Sequence, residues 1–210
     1  MTDNRQEKER HFWDAFANRY DSFMKYLKPA YTKIIEYIKE ELRPNFVILE
    51  VATGTGIIAL EMASDVKKVY GIDISPEMIN IAIEKAFDRG IKNIEFSVQD
   101  AYRLDFKPNS FDIVITSNVL HVMIQPERTL SAIHYILKNE GILIAPTYCH
   151  GESIISKTIS SIMSLFGYKS FYRWSIESFK NFIDENDYKI VKDIEIKGKI
   201  PLLFLVAKKK

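Results

Sequence analysis

Residues 46–56 read FVILEVATGTG, an apolar run that admits one acid, Glu50, and then gives way to glycines at 54 and 56. A strand so uniformly apolar belongs in a sheet covered on both faces, the usual setting of parallel strands. A carboxylate in such a strand needs partners, because an isolated buried charge is costly. The glycines let the backbone take angles other residues resist and let a ligand approach the main chain. A G-x-G alone is also simply a tight turn, so its surroundings have to decide.

Those surroundings alternate. VILEV (47–51) predicts a strand, followed by a helix carrying Ile57, Leu60, Glu61 and Ala63. VYGID (69–73) predicts a second strand, and Ser75-Pro76-Glu77 opens a helix with a capping serine, a proline in the first turn and an acid. Gly90 closes it. IEFSV (94–98), FDIVIT (111–116) and GILIAPT (141–147) give three more strands, the last two separated by a helix that starts at Pro126 and carries Leu130, Ile133 and Leu137. This alternation implies right-handed crossovers and a parallel sheet with helices on both faces, an α/β fold. Upstream, Phe12, Phe16, Tyr20, Phe23 and Leu27 mark an amphipathic helix, and Ile34, Ile35, Ile38 and Leu42 a second one between Pro29 and Pro44. Downstream, Ser175 caps a helix with Phe179, Phe182 and Ile183. YKIVKDIEI (188–196) and PLLFLVA (201–207) are separated by too few residues for a crossover helix, so they are expected to pair antiparallel.

The 210 residues fit one domain spanning 1–210, with N-terminal helices over 1–43 and an inserted segment at 153–174. The 29 basic and 28 acidic residues nearly cancel, which argues against a nucleic-acid partner. Lys208-Lys209-Lys210 reads as a solvated tail. Cys149 is the only cysteine, so neither an intrachain disulfide nor a multi-cysteine metal site is available, and no metal is expected. No apolar run approaches eighteen residues, and the first thirty have no signal-peptide core, so the expected location is cytoplasmic, with no membrane span. Oligomeric state is not legible.

Ligands of open α/β sheets sit beyond the carboxyl ends of the strands. Asp73 ends the second strand, where a carboxylate can accept hydrogen bonds from both hydroxyls of a ribose; the other role open to it is capping the next helix. Asp100, in SVQDA after the third strand, can meet an exocyclic adenine amine or can start a turn. Asn118, in SNVLHVM after the fourth, belongs to the same series. Acids or an amide at three successive strand ends outline a site for adenosine.

The segments EVATGTG (50–56), GID (71–73), QDA (99–101), FDIVITSNVLH (111–121) and LKNEGIL (137–143) occur in order. Together they resemble the class I S-adenosylmethionine-dependent methyltransferases, particularly the small-molecule branch that includes ubiquinone/menaquinone-biosynthesis enzymes. The resemblance implies a Rossmann-like three-layer sandwich whose mostly parallel seven-stranded sheet carries an antiparallel C-terminal strand. It implies S-adenosylmethionine as cofactor: Ala52, Gly54 and Gly56 along the methionine part, Glu50 supporting the loop and the ammonium side, and Asp73 on the ribose. It places Ile74 and Met78 against the adenine, Asp100 and Ala101 at its amine, and Asn118 near the methionine region. ANRYD (17–21) resembles an N-terminal element whose tyrosine, here Tyr20, approaches the cofactor carboxylate. Asn139-Glu140 departs from the Pro-Gly often found before the equivalent of Gly141, which touches a turn and not the site.

Methyl transfer from a sulfonium chiefly requires a positioned nucleophile and excluded water. A base is needed only when the acceptor must lose a proton, and His121, Tyr148 and His150 are the residues placed for it. Each is also compatible with a structural role. Cys149 reads as a packed thiol, and His11 and His134 as helix-surface residues. In the 153–174 segment, Ile155, Ile159, Ile162 and Phe166 keep helical spacing, followed by Phe171, Tyr172 and Trp174. This is either a helix packed on the sheet or, with the N-terminal helix, a lid over a small and partly hydrophobic methyl acceptor. Two other readings compete: a cofactor-binding protein without transfer activity, and a nicotinamide-dependent oxidoreductase, with Ala59 at its third glycine position.

Overall fold

The computed structural model describes residues 3–149, 151, 171–198 and 200–210. Two compact units divide the chain, Met1–Asp105 and Phe106–Lys210. Eight strands are found among the described residues.

The first unit contains α1 (Asp3–Met24), a 3-10 turn at Lys25–Leu27, α2 (Lys28–Glu41), β1 (Val47–Val51), α3 (Ile57–Met62), β2 (Lys68–Asp73), α4 (Pro76–Asp88) and β3 (Ile94–Val98). All its strand pairs are parallel: β1 lies beside β2 with Glu50 opposite Gly71, and β2 beside β3 with Asp73 opposite Val98. The local signals explain the boundaries. Ser75 caps α4 by accepting the Met78 amide at 3.1 Å, with Pro76 in the first turn. Met78, Ile79, Ala82 and Ala86 form the buried stripe of α4.

Gly71 sits inside a strand, where glycine ordinarily weakens pairing, and its reason is space. A Cβ there would lie 2.6 Å from the Phe96 ring, and one at Gly56 would lie 2.9 Å from the same ring. The two glycines thus open a slot that Phe96 fills.

The second unit contains β4 (Phe111–Ile115), a 3-10 turn at Leu120–Val122, α5 (Pro126–Ile136), β5 (Leu137–Ile144), β6 (Thr147–Tyr148), α6 (Ile176–Glu185), β7 (Tyr188–Ile196) and β8 (Leu202–Lys209). β4 pairs parallel with β5, and β8 runs antiparallel to β5, β6 and β7. Leu202–Ala207 are all buried, so β8 is covered on both faces. Tyr188 is buried as well and donates its hydroxyl to the Leu130 carbonyl at 3.0 Å.

The expected C-terminal antiparallel pair is present, running from Tyr188 opposite Lys209 to Ile196 opposite Leu202. Three features differ from the sequence reading. β5 begins at Leu137, directly off α5, because Leu137 turns extended and pairs with Phe111. The run 141–147 breaks at Ala145-Pro146, and Thr147-Tyr148 resume as a short eighth strand against β8. The terminal lysines are no solvated tail: β8 runs to Lys209, and Lys210 donates its amide to Asp187 and pairs with Asp184 at 3.0 Å. His150 and residues 153–170 of the expected insertion lie outside the described residues. Among the described residues, no helix is long and apolar enough to cross a membrane.

Replacing Gly71 with alanine should cost about 1–3 kcal/mol, the usual range for overfilling a packed site. Urea unfolding measures this, and a loss below about 0.5 kcal/mol would show that Phe96 moves aside freely.

Candidate active site

The loop after β1 carries three of the residues expected to bind a ligand, Ala52, Gly54 and Gly56. Ala52, Gly54 and Gly56 all have positive φ, at 56°, 56° and 76°. For Ala52 this left-handed conformation costs about 1 kcal/mol, a strain the two glycines avoid. The loop is fixed by the Thr53 amide, which donates to the Ile72 carbonyl at 2.8 Å, and by the Gly56 amide, which donates to Thr53 at 3.0 Å.

Glu50 explains how the strand tolerates an acid. Its Oε2 accepts the Thr53 hydroxyl at 2.6 Å and the Ala59 amide at 3.0 Å. Ala59 lies in the first turn of α3, whose N-cap is Gly56 and has no side chain to offer. Glu50 therefore caps α3 from the preceding strand, satisfying an amide that would otherwise be orphaned. Burial pushes its carboxyl up to about 8 from an ordinary 4.5, against the lowering effect of the Thr53 and Ala59 hydrogen bonds. Support of the loop is thus observed directly.

Asp73 lies beside this loop, as its position at the end of β2 requires. Its Oδ2 accepts the Gly54 amide and its Oδ1 the Ser75 amide, both at 2.9 Å. Burial raises its carboxyl above the ordinary range, while the Ser75, Gly54 and Ile74 amides pull the other way. Met78 is buried and Ile74 half-buried next along the chain. Asp100 starts a turn, accepting the Tyr102 amide at 2.9 Å, with Ala101 inside that turn. The Gln99 amide donates to the Asp73 carbonyl at 3.0 Å, which joins the ends of β3 and β2.

Tyr20 reaches the same loop from α1: its ring lies 3.5 Å from where a Gly54 Cβ would be. Sequence reasoning found Tyr20 but missed the polar residues that bring it there. Asp14 accepts the Ser75 hydroxyl at 2.5 Å, and Asp21 accepts the Thr55 hydroxyl at 2.6 Å. Their spacing of seven, one face of a helix, was the available signal.

A nucleoside cofactor fits these residues. A carboxylate offers about four acceptor positions, so Asp73 keeps capacity for a ribose hydroxyl beyond its backbone amide bonds. Gly54 presents bare backbone, with the Tyr20 ring at contact distance from its missing Cβ.

The remaining expected residues belong to the second unit. Asn118 has a positive φ of 55° and is pinned at both ends: its amide donates to Pro146 at 2.8 Å, and its Oδ1 accepts the Tyr148 amide at 3.0 Å. His121 is buried, and its carbonyl accepts the Phe171 and Tyr172 amides at 2.9 and 3.1 Å. Tyr148 is half-buried, and Cys149 is a buried thiol, as expected. Tyr172 stacks on Trp174, which stacks in turn on Phe182 of α6.

Residues 42–193 match the family model described as a methyltransferase domain. The chain belongs to that family. The match decides against the nicotinamide reading, and the protein is a class I methyltransferase that uses S-adenosylmethionine. Among relatives, it is 28% identical over 183 residues to the ubiquinone/menaquinone biosynthesis C-methyltransferase UbiE of Citrifermentans bemidjiense, covering 77% of this chain and 78% of that one. Its fold is shared with an S-adenosylmethionine-dependent methyltransferase of Thermotoga maritima, at a TM-score of 0.75 and 20% identity over 96% of this chain and 99% of that one. It is shared equally with the complex of DhpI and SAH, at a TM-score of 0.74 and 20% identity, covering 97% and 96%. This is the Rossmann-like α/β architecture expected of the family.

The Glu50 carboxyl gives this methyltransferase a pH signature. Between about 4.5 and about 8 the folded state holds a proton that the unfolded chain has released, so Glu50 lowers stability as pH rises through that window. The stability of wild type relative to Glu50→Gln should therefore fall from pH 5 to pH 8, measured by urea unfolding. A difference independent of pH would contradict the raised carboxyl.

Proposed function

We propose that this methyltransferase acts in the cytoplasm on a small, partly hydrophobic molecule and not on nucleic acid. The observation that carries the donor half of this reading is the Asp73 carboxylate bonded to the Gly54 amide, which puts a ribose acceptor and bare loop backbone side by side. Supporting the acceptor half is the row on α1 of Phe12, Trp13, Phe16, Tyr20 and Phe23, aromatic side chains that stay partly exposed. A net charge of +1 gives nucleic acid no broad electrostatic footing. The quinone pathway in the name of the Citrifermentans relative points the same way.

S-adenosylmethionine, when bound, supplies an electrophilic methyl group on a sulfonium. In this reading Asp73 holds the ribose, while Ile74, Met78, Asp100 and Ala101 surround the adenine. Ala52, Gly54 and Gly56 line the methionine part together with Tyr20, and Glu50 keeps the loop in shape. Positioning and exclusion of water do most of the remaining work. An acceptor that must lose a proton has His121, Tyr148 and His150 as its acid–base candidates; one already ionised needs none of them.

Calorimetric titration of S-adenosylhomocysteine into wild type and Asp73→Ala tests the donor site. Binding to wild type that weakens at least about tenfold in the variant, roughly 1.4 kcal/mol, is the expected result. Equal affinity in both would remove Asp73 from the ribose.

A further inference from the structure

The polar contacts at the base of α1 have a use beyond holding a helix. Asp21 splits its carboxylate: Oδ1 accepts the Thr55 hydroxyl at 2.6 Å, and Oδ2 pairs with Lys85 of α4 at 2.5 Å. Lys85 closes the triangle by donating to the Thr55 carbonyl at 3.1 Å. One side chain of α1 is thereby bonded to the glycine loop and to the helix behind it. Seven residues earlier, on the same face, Asp14 accepts the Ser75 hydroxyl at 2.5 Å. The Ser75 amide donates to Asp73, and Asp73 in turn accepts the Gly54 amide. The bonds therefore run from α1 through both strand ends of the candidate donor site and back to α1. Tyr20, the neighbour of Asp21, lays its ring against Gly54 at the closing point.

We propose that Asp21 is a positioning residue for the methyl donor: through Thr55 and Lys85 it fixes the register of α1 so that Tyr20 covers the Gly54 backbone when the donor is bound. The proposal rests on the loop being the donor site. The ion pair is half-exposed, with side-chain exposures of 41% for Asp21 and 24% for Lys85, so its contribution to folding is small. Its effect lies in where it holds a ring. Sliding α1 by one residue would rotate Tyr20 about 100° away from Gly54. No fold-wide loss is needed for that to weaken binding.

The test is calorimetric binding of S-adenosylhomocysteine to wild type, Asp21→Ala, Asp21→Asn, Lys85→Met, Tyr20→Ala and the Asp21→Ala/Tyr20→Ala double variant, with melting temperatures recorded for each. Asp21→Ala should weaken binding at least fivefold with little change in melting temperature. Asp21→Asn, which keeps an acceptor for Thr55, should recover part of the loss. The double variant should bind no more weakly than Tyr20→Ala, because Asp21 acts through that ring. Lys85→Met should weaken binding in the same direction, which covers the case in which Asp21→Ala fails to fold. Affinity within twofold of wild type in both Asp21→Ala and Lys85→Met, or losses that simply add in the double variant, would overturn the proposal. Absence of binding to folded wild type would overturn the donor reading, and the positioning role with it.

Discussion

Two carboxylates withdrawn from water organise the head of the first unit. Glu50 is 3% exposed and Asp73 is 8% exposed; Glu50 is next to last in β1 and Asp73 is the last residue of β2. Ionised and alone, either would be too costly to bury. Each is met by donors, the Thr53 hydroxyl and an α3 amide for Glu50, the Gly54 and Ser75 amides for Asp73, and burial still raises both carboxyls, Glu50 to about 8. The same bonds hold the glycine loop in its left-handed turns and start the two helices that follow. Loop structure and the proposed donor site thus rest on one set of interactions. The bonds that make the loop stable also hold a carboxylate beside glycine backbone that carries no side chain.

The second unit repeats this logic with different chemistry. Asn118 occupies a left-handed position that asparagine tolerates better than most residues. Its side chain ties β6 to the loop after β4 by accepting the Tyr148 amide. The segment 171–174 donates two amides to the His121 carbonyl and inserts Trp174 among the α6 aromatics. Here too a polar side chain at a strand end holds the loop in place while an aromatic cluster supplies the packing.

Much of the fold was legible because local signals and packing agree. The alternation of apolar runs gave the parallel strands, and Ser75-Pro76 marked the start of α4. The short gap at 197–200 required an antiparallel return. The departures came where a long-range partner overrides a local pattern. Three terminal lysines look like solvent-exposed chain until Glu140, Asp184 and Asp187 are found waiting beside them. Leu137 fits a helical stripe until Phe111 draws it into a strand. In the site, Asp73 was readable because a strand end places it; the cap that Glu50 supplies to α3 was not, since it depends on Gly56 having nothing to offer. Asp14 and Asp21 were hidden among ordinary helix charges, and only the docking of α1 gives them meaning.

A crystal structure with S-adenosylhomocysteine would test the central claim most directly. Both ribose hydroxyls should lie within about 3.2 Å of the Asp73 carboxylate, with the amino-acid end along residues 52–56 and the Tyr20 ring still against Gly54. A nucleoside bound elsewhere, or a ribose held by other groups while Asp73 keeps only its backbone amides, would contradict it.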